Sequence, residues 1–204
     1  MKGRKKRDGR ENGLHQAAEI SARAASPADG QSGLTTSFVY GSGVKKDVVS
    51  GVKVNGTQLL TYTYDDMGNI KTIKEGSKTE TYTYDSLGQL TRVDSQKENK
   101  SYTYSYDNRG NITSKKEYAY TTGPLGTVTK TINYAYGDAT WKDLLTSYNG
   151  QSITYDTIGN PLSYRDGMTM TWKHGRSLQS ITKGRETLGW YTYNGDGLRT
   201  YKSA

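Results

Sequence analysis

From Leu60 to Ile112 apolar and polar positions alternate with the two-residue period of a β-strand, and the alternation breaks at near-regular points. Tyr62-Thr-Tyr64-Asp65-Asp-Met-Gly68-Asn69-Ile70 returns as Tyr82-Thr-Tyr84-Asp85-Ser-Leu-Gly88-Gln89-Leu90. It returns again as Tyr104-Ser-Tyr106-Asp107-Asn-Arg-Gly110-Asn111-Ile112, the glycines standing 20 and then 22 residues apart. Tyr155-Asp156-Thr-Ile-Gly159-Asn160 and Tyr193-Asn194-Gly-Asp-Gly197-Leu198 are later copies. Self-similarity at such a period is the mark of a repeat architecture.

Each unit predicts one β-hairpin. Alternation places the rings of Tyr62 and Tyr64, Tyr82 and Tyr84, or Tyr104 and Tyr106 on one face of a strand and the intervening Thr or Ser on the other. Asp, two variable residues and Gly match a type I turn, with Asp favoured first and Gly fourth. The carboxylate can accept from turn amides, and Gly tolerates the positive φ that follows. An apolar residue then restarts a strand. Such a hairpin has one apolar face and cannot bury it alone, so the expected class is all-β, with hairpins stacked in an antiparallel sheet.

Elsewhere the pattern loosens. Residues 1–33 show no periodicity and read as a disordered basic leader, without the apolar core of a signal peptide. Residues 34–60 read as an irregular or decayed repeat, with Asn55-Gly56 as a hairpin turn. The hairpin array is placed at 61–204. Thr121-Thr-Gly123-Pro124-Leu-Gly126 predicts a turn or protruding loop, and the insertion from Gly137 to Leu145 a longer loop with room for one helical turn. Trp172 precedes a variant turn at Gly175.

Composition raises an objection and answers it. Leu, Ile, Val and Phe number 30, about 15% of 204 residues, a proportion low enough to suggest disorder. The 18 tyrosines and 27 threonines favour strands, however, and a tyrosine buries a large ring while keeping its hydroxyl bonded. Disorder is therefore expected only before Tyr40. Of the net charge of +8, residues 1–33 hold +3, with seven basic and four acidic side chains. Across 62–116 the balance is nine to eight, which leaves no footprint for specific nucleic-acid binding. No cysteine is present, and no apolar run is long enough for a membrane-spanning helix.

Catalytic chemistry finds little support. His15 and His174 stand far apart, and no base accompanies the many hydroxyls. The recurrent Asp65, Asp85, Asp107 and Asp156 lack the alternating oxygen ligands of a calcium loop and read as turn caps. No cofactor is expected. The aromatic positions Tyr62, Tyr64, Tyr82, Tyr84, Tyr104, Tyr106, Tyr155, Trp172 and Tyr193 read as packing faces, with sugar or base stacking as the alternatives. The turn set is Asp65, Gly68, Asn69, Asp85, Gly88, Asp107, Gly110, Asn111, Asp156, Gly159, Asn160, Gly175 and Gly197.

The Tyr-Asp-x-x-Gly-Asn units, with Trp172-x-x-Gly175-Arg176-x-Leu178, resemble the RHS/YD-repeat family over roughly 59–202. Trp141-Lys-Asp143-Leu-Leu-Thr-Ser-Tyr148-Asn149-Gly150 is similar to the Gram-positive, clostridial type. The resemblance implies a sheet that spirals into a secreted or surface shell enclosing a C-terminal polymorphic toxin. Partners would be further repeats of the shell or the enclosed toxin. The same architecture occurs in insecticidal toxin-complex subunits and teneurin-type adhesion proteins. Pro27, Pro124 and Pro161 follow Ser, Gly and Asn, so the family's Asp-Pro cleavage motif is missing. The expectation is a non-catalytic internal segment of such a shell, without toxin or cleavage core. A module binding carbohydrate or cell-wall glycan through exposed Tyr and Trp is the alternative.

Overall fold

The computed structural model describes residues 33–42 and 47–203. The basic leader and His15 lie outside the described residues. Among the described residues sixteen strands follow one another: β1 Thr36–Tyr40, β2 Val49–Val54, β3 Thr57–Tyr64, β4 Ile70–Glu75, β5 Lys78–Tyr84, β6 Leu90–Ser95, β7 Lys100–Tyr106, β8 Ile112–Ala119, β9 Val128–Ala135, β10 Ser147–Tyr148, β11 Gln151–Ser152, β12 Ser163–Tyr164, β13 Met168–Lys173, β14 Ser177–Lys183, β15 Glu186–Tyr193 and β16 Arg199–Ser203. Among the described residues the only helical element is one 3₁₀ turn, Arg165–Gly167. The strands form antiparallel sheets in sequence order, β1 to β11 and β12 to β16. No strand crosses over another, as expected where each hairpin is closed by its own short turn.

The hairpins turned by Asp65, Asp85 and Asn194 carry the same irregularity. In β3–β4, Thr63 faces Thr72 but Tyr64 faces Ile70, so Lys71 is an extra residue. Thr91 is the extra residue between Arg92 and Leu90, and Thr200 between Tyr201 and Arg199. Two residues opposing one make a β-bulge, which bends the returning strand and increases its twist. The first hairpin follows the same rule: Tyr40 faces Val49, Val39 faces Gly51, and Ser50 is extra. β3 runs unbroken through positions 60 and 61.

The chain divides into two units, 1–104 with 116–130, and 105–115 with 131–204. In the first, Val52, Leu60, Tyr62 and Ile73 are buried together, with Val49, Leu59, Tyr64, Ile70 and Tyr82 packed around them. The register sets a tyrosine against a β-branched residue, Tyr62 opposite Ile73 and Val93 between Tyr82 and Tyr102. Such cross-strand pairs each contribute about 0.2–1 kcal/mol over Ala–Ala. In the second unit, Ile132 and Ile153 are buried. Tyr134 meets Tyr148 edge-on with centroids 5.4 Å apart.

Two local expectations change. The segment 137–145 contains no helical turn. Asp138 Oδ1 accepts from the amides of Thr140 (2.9 Å) and Trp141 (2.6 Å), which holds the backbone in a side-chain-capped turn instead. The loop starting at Thr121 is tied down rather than protruding. Arg92 donates Nη2 to the carbonyls of Thr121 (2.8 Å) and Gly123 (2.9 Å), while its Nε pairs with buried Asp94 at 2.8 Å. A guanidinium can do this because its donors point in several fixed directions.

Burial raises the Tyr62 phenol from 10.0 to about 12, with Tyr64 adding a smaller push in the same direction. Its contribution to stability is therefore complete below pH 10 and is lost as pH rises toward about 12. The urea midpoint of the protein should decline over that interval, and Tyr62→Phe should decline less. Equal declines in the two proteins would contradict this.

Candidate functional site: the seam between hairpins

The turns are built from the carboxylate outward. Asp65 Oδ1 accepts from the amides of Met67 (3.0 Å) and Asn69 (2.8 Å), and Oδ2 accepts from Asn69 Nδ2 at 3.0 Å. Asp107 makes the same three bonds to Arg109 and Asn111, and Asp156 to Ile158 and Asn160. Asp85 makes the two amide bonds, to Leu87 and Gln89. In the last copy Asn194 Oδ1 accepts from Asp196 and Leu198. Behind each carboxylate the Gly amide closes on the Asp or Asn carbonyl, at 3.0–3.2 Å for Gly68, Gly88, Gly110, Gly159 and Gly197. These glycines have φ between 74° and 88°, the left-handed region that a Cβ disfavours.

Electrostatics follow the bonding. For Asp65 partial burial pushes the carboxyl up, but the Asn69 side-chain and backbone bonds, with Met67 and Gly68, carry it below 3.8. Asp107 is lowered chiefly by the Asn111 amide, and Asp156 by the Asn160 amide and side chain against a larger burial effect. These oxygens face their own turns. Among the described residues no group of three or more His, Cys, Asp or Glu side chains is placed to hold a metal.

The tyrosines that close the strands reach backwards. Tyr84 Oη donates to the carbonyl of Ile70, on the preceding hairpin, at 2.9 Å. Tyr64 donates to Val49 (2.5 Å), Tyr136 to Ile112 (3.0 Å), Tyr155 to Leu145 (2.6 Å) and Tyr193 to Leu178 (3.0 Å). Trp172 makes the same bond through its indole N–H, to Pro161 at 2.7 Å. The register is constant. Thr72 faces Thr81, which puts Ile70 opposite Thr83, one residue before the donor. Gly51 facing Thr61 puts Val49 opposite Thr63, and Ser163 facing Thr169 puts Pro161 opposite Thr171. Ser180 facing Trp190 likewise puts Leu178 opposite Thr192. Each of these hairpins is thus fastened to its predecessor by one donor on its outgoing strand.

The earlier tyrosine of a unit is served differently. Tyr82 donates to Glu80 (2.9 Å), whose other oxygen accepts from Ser95 (2.7 Å), and Tyr102 donates to Glu98. Burial, then the neighbouring glutamate charge, raises the Tyr82 phenol above its usual range. Tyr104 and Tyr106 are half-buried. None of the nine aromatic positions singled out in the sequence is exposed.

Neighbouring turns also touch. Asn160 Nδ2 donates to the Gly175 carbonyl (2.7 Å), and Arg176 Nη2 to the Ile158 carbonyl (2.8 Å). Asn111 Nδ2 reaches Asp143 at 3.3 Å. Trp141 lies on Gly159, where an added Cβ would come within 2.5 Å of Cζ3. His174 and Gly175, both at positive φ, lie in the three-residue hairpin turn 174–176. Missed in the sequence were Tyr136, Glu80, Arg92 and Arg176. Tyr136 had a legible signal, since Tyr134-Ala-Tyr136-Gly137 alternates as the units do.

With this geometry the comparisons can be placed. Residues 38–129 match the teneurin YD-shell family model. That match covers a little under half of the chain, and it is a likeness to a YD-shell repeat family. The Tc holotoxin pore of Photorhabdus luminescens is similar at 22% identity and a TM-score of 0.60, over 83% of this chain and 10% of that one. TcdB2-TccC3-Cdc42 gives 22% and 0.57 over the same shares. TcdB2-TccC3 without its hypervariable C-terminal region gives 21% and 0.55, also over 83% and 10%. At such identities the likeness is one of fold, and the chain spans about a tenth of the length of these structures. No curated protein matches it in sequence.

Two substitutions separate the forces at the turns. Gly88→Ala and Gly159→Ala impose nearly the same φ, 74° against 84°, but only the second drives a methyl group into Trp141. The first should cost about 1–2 kcal/mol from backbone strain and the second clearly more, read from urea denaturation. Equal losses would show that Trp141 yields freely. At the seam, Tyr84→Phe should cost about 0.5–1.5 kcal/mol by the same measurement, leaving the Ile70 carbonyl without this donor. A variant as stable as the parent would remove the bond from the account.

Proposed function

We propose that the chain is a non-catalytic wall segment of an RHS-type shell of the Gram-positive, clostridial type, secreted or held at the cell surface. In this reading the shell encloses a polymorphic toxin, and this segment contributes wall rather than toxin or cleavage core. Its partners are the neighbouring repeats and the enclosed toxin. The observation that carries the reading is the seam. The repeat aromatics Tyr64, Tyr84 and Tyr193, which could have served as a binding platform, are not exposed and donate their hydroxyls to the previous hairpin. Repeats fastened this way extend a surface one hairpin at a time. The likeness to Tc toxin structures, which cover the same fold over most of this chain, supports the same conclusion.

The test is the DNA around the coding region together with a binding assay. Further Tyr-Asp repeats and a toxin-type domain are expected in frame or beside it, and purified peptidoglycan should not retain the protein. Flanks carrying neither, with retention on the glycan, would overturn the wall reading in favour of a carbohydrate-binding module.

A further inference from the structure

Asparagine stands in two settings in this chain. Asn69, Asn111 and Asn160 follow turn glycines, and each holds the Asp carboxylate of its own turn through Nδ2. The residues after them are Ile70, Ile112 and Pro161. Four asparagines are instead followed by glycine. Asn12-Gly13 lies outside the described residues, and Asn55-Gly56, Asn149-Gly150 and Asn194-Gly195 are exposed. In an Asn-Gly pair the next backbone nitrogen attacks the side-chain amide most readily, because glycine has no Cβ to obstruct it.

The three described pairs are held differently. Asn194 Oδ1 accepts from the amides of Asp196 (3.1 Å) and Leu198 (2.9 Å). Asn55 Oδ1 accepts from the Thr35 amide at 2.9 Å, and its turn joins β2 and β3, six and eight residues long. The Asn149 side chain makes no hydrogen bond among the described residues. Its two-residue turn joins β10 and β11, two residues each, with Ser147 facing Ser152 and Tyr148 facing Gln151. Ring closure on an asparagine waits on local opening of the turn, and so short a hairpin opens most readily.

We propose that Asn149-Gly150 is a self-modifying site that loosens its own hairpin. The Gly150 nitrogen, giving its proton to hydroxide, attacks Asn149 Cγ. The new C–N bond closes a five-membered imide, and the side-chain nitrogen takes a proton from water and departs as ammonia. Water then breaks one of the two imide C–N bonds. Breaking the bond to Cγ restores the main-chain peptide and leaves aspartate. Breaking the bond to the main-chain carbonyl leaves isoaspartate, with the chain running through Cβ and Cγ. The second product adds a backbone atom to the turn and displaces Tyr148. That ring meets Tyr134 edge-on at 5.4 Å and lies under the Arg165 guanidinium at 5.5 Å, so both contacts go with it. The reaction uses only water and the chain's own atoms, and it does not depend on what the wall encloses.

Trypsin separates the three pairs into fragments 54–71, 143–165 and 186–199. The whole chain, kept folded at mildly alkaline pH, should first gain in 143–165 the mass of NH exchanged for O. Fragment 54–71 should follow about two- to tenfold more slowly and 186–199 about five- to a hundredfold, from one and two hydrogen bonds to give up. In urea, where those bonds are gone, the three rates should converge. Aged protein should lose amide protection across 146–153, and Asn149→Gln should keep its protection over the same period. No mass gain in 143–165, a folded-state order led by Asn55 or Asn194, an order unchanged in urea, or full protection after conversion would each overturn the proposal. The seam bonds enter none of these measurements, so the wall reading stands or falls separately.

Discussion

A Tyr-Asp hairpin has a single apolar face and too few aliphatic residues to cover it, so its stability must come from the hairpin before it. The bond from a strand-closing aromatic to a carbonyl one hairpin back meets that constraint. Tyr84 lays its ring across the seam between β4 and β5 and delivers its hydroxyl to Ile70. One side chain thereby provides both the buried area and the polar partner that a buried carbonyl requires. This explains how a chain with about 15% Leu, Ile, Val and Phe folds: tyrosine replaces a thick aliphatic core with a series of thin ones.

The turn and the seam are mechanically linked. The Asp carboxylate fixes the reversal, the glycine at positive φ completes it, and the extra residue of the bulge comes next on the returning strand. That bulge sits beside the residue whose carbonyl accepts the next hydroxyl, as Lys71 sits beside Ile70. A turn of different length would shift the bulge and carry the acceptor out of reach. The repeat therefore keeps geometry more strictly than residue type: the turns keep their two amide bonds where Asn194 replaces Asp and Gln89 replaces Asn, and Trp172 replaces Tyr without loss of the seam bond.

That tolerance decides what could be read from the sequence. The hairpins were legible because their signals are local, with alternation, Asp and Gly all lying within nine residues. The donors were legible as aromatic positions, but their role was not. The acceptors Val49, Ile70, Ile112, Leu145, Pro161 and Leu178 are all apolar, and they act only through the backbone. No residue pattern marks a carbonyl. The helical turn expected near Trp141 failed for a related reason, since a single Asp138 capping two amides outweighs weak helix propensity over so short a stretch. Arg92 was invisible because its partners, Asp94 and the Thr121 loop, meet only after three strands have paired.

A bond directed always from one hairpin to its predecessor gives the array a direction. Each unit carries a donor facing one way and an acceptor facing the other, so stability is the sum of nearest-neighbour seams rather than of one shared core.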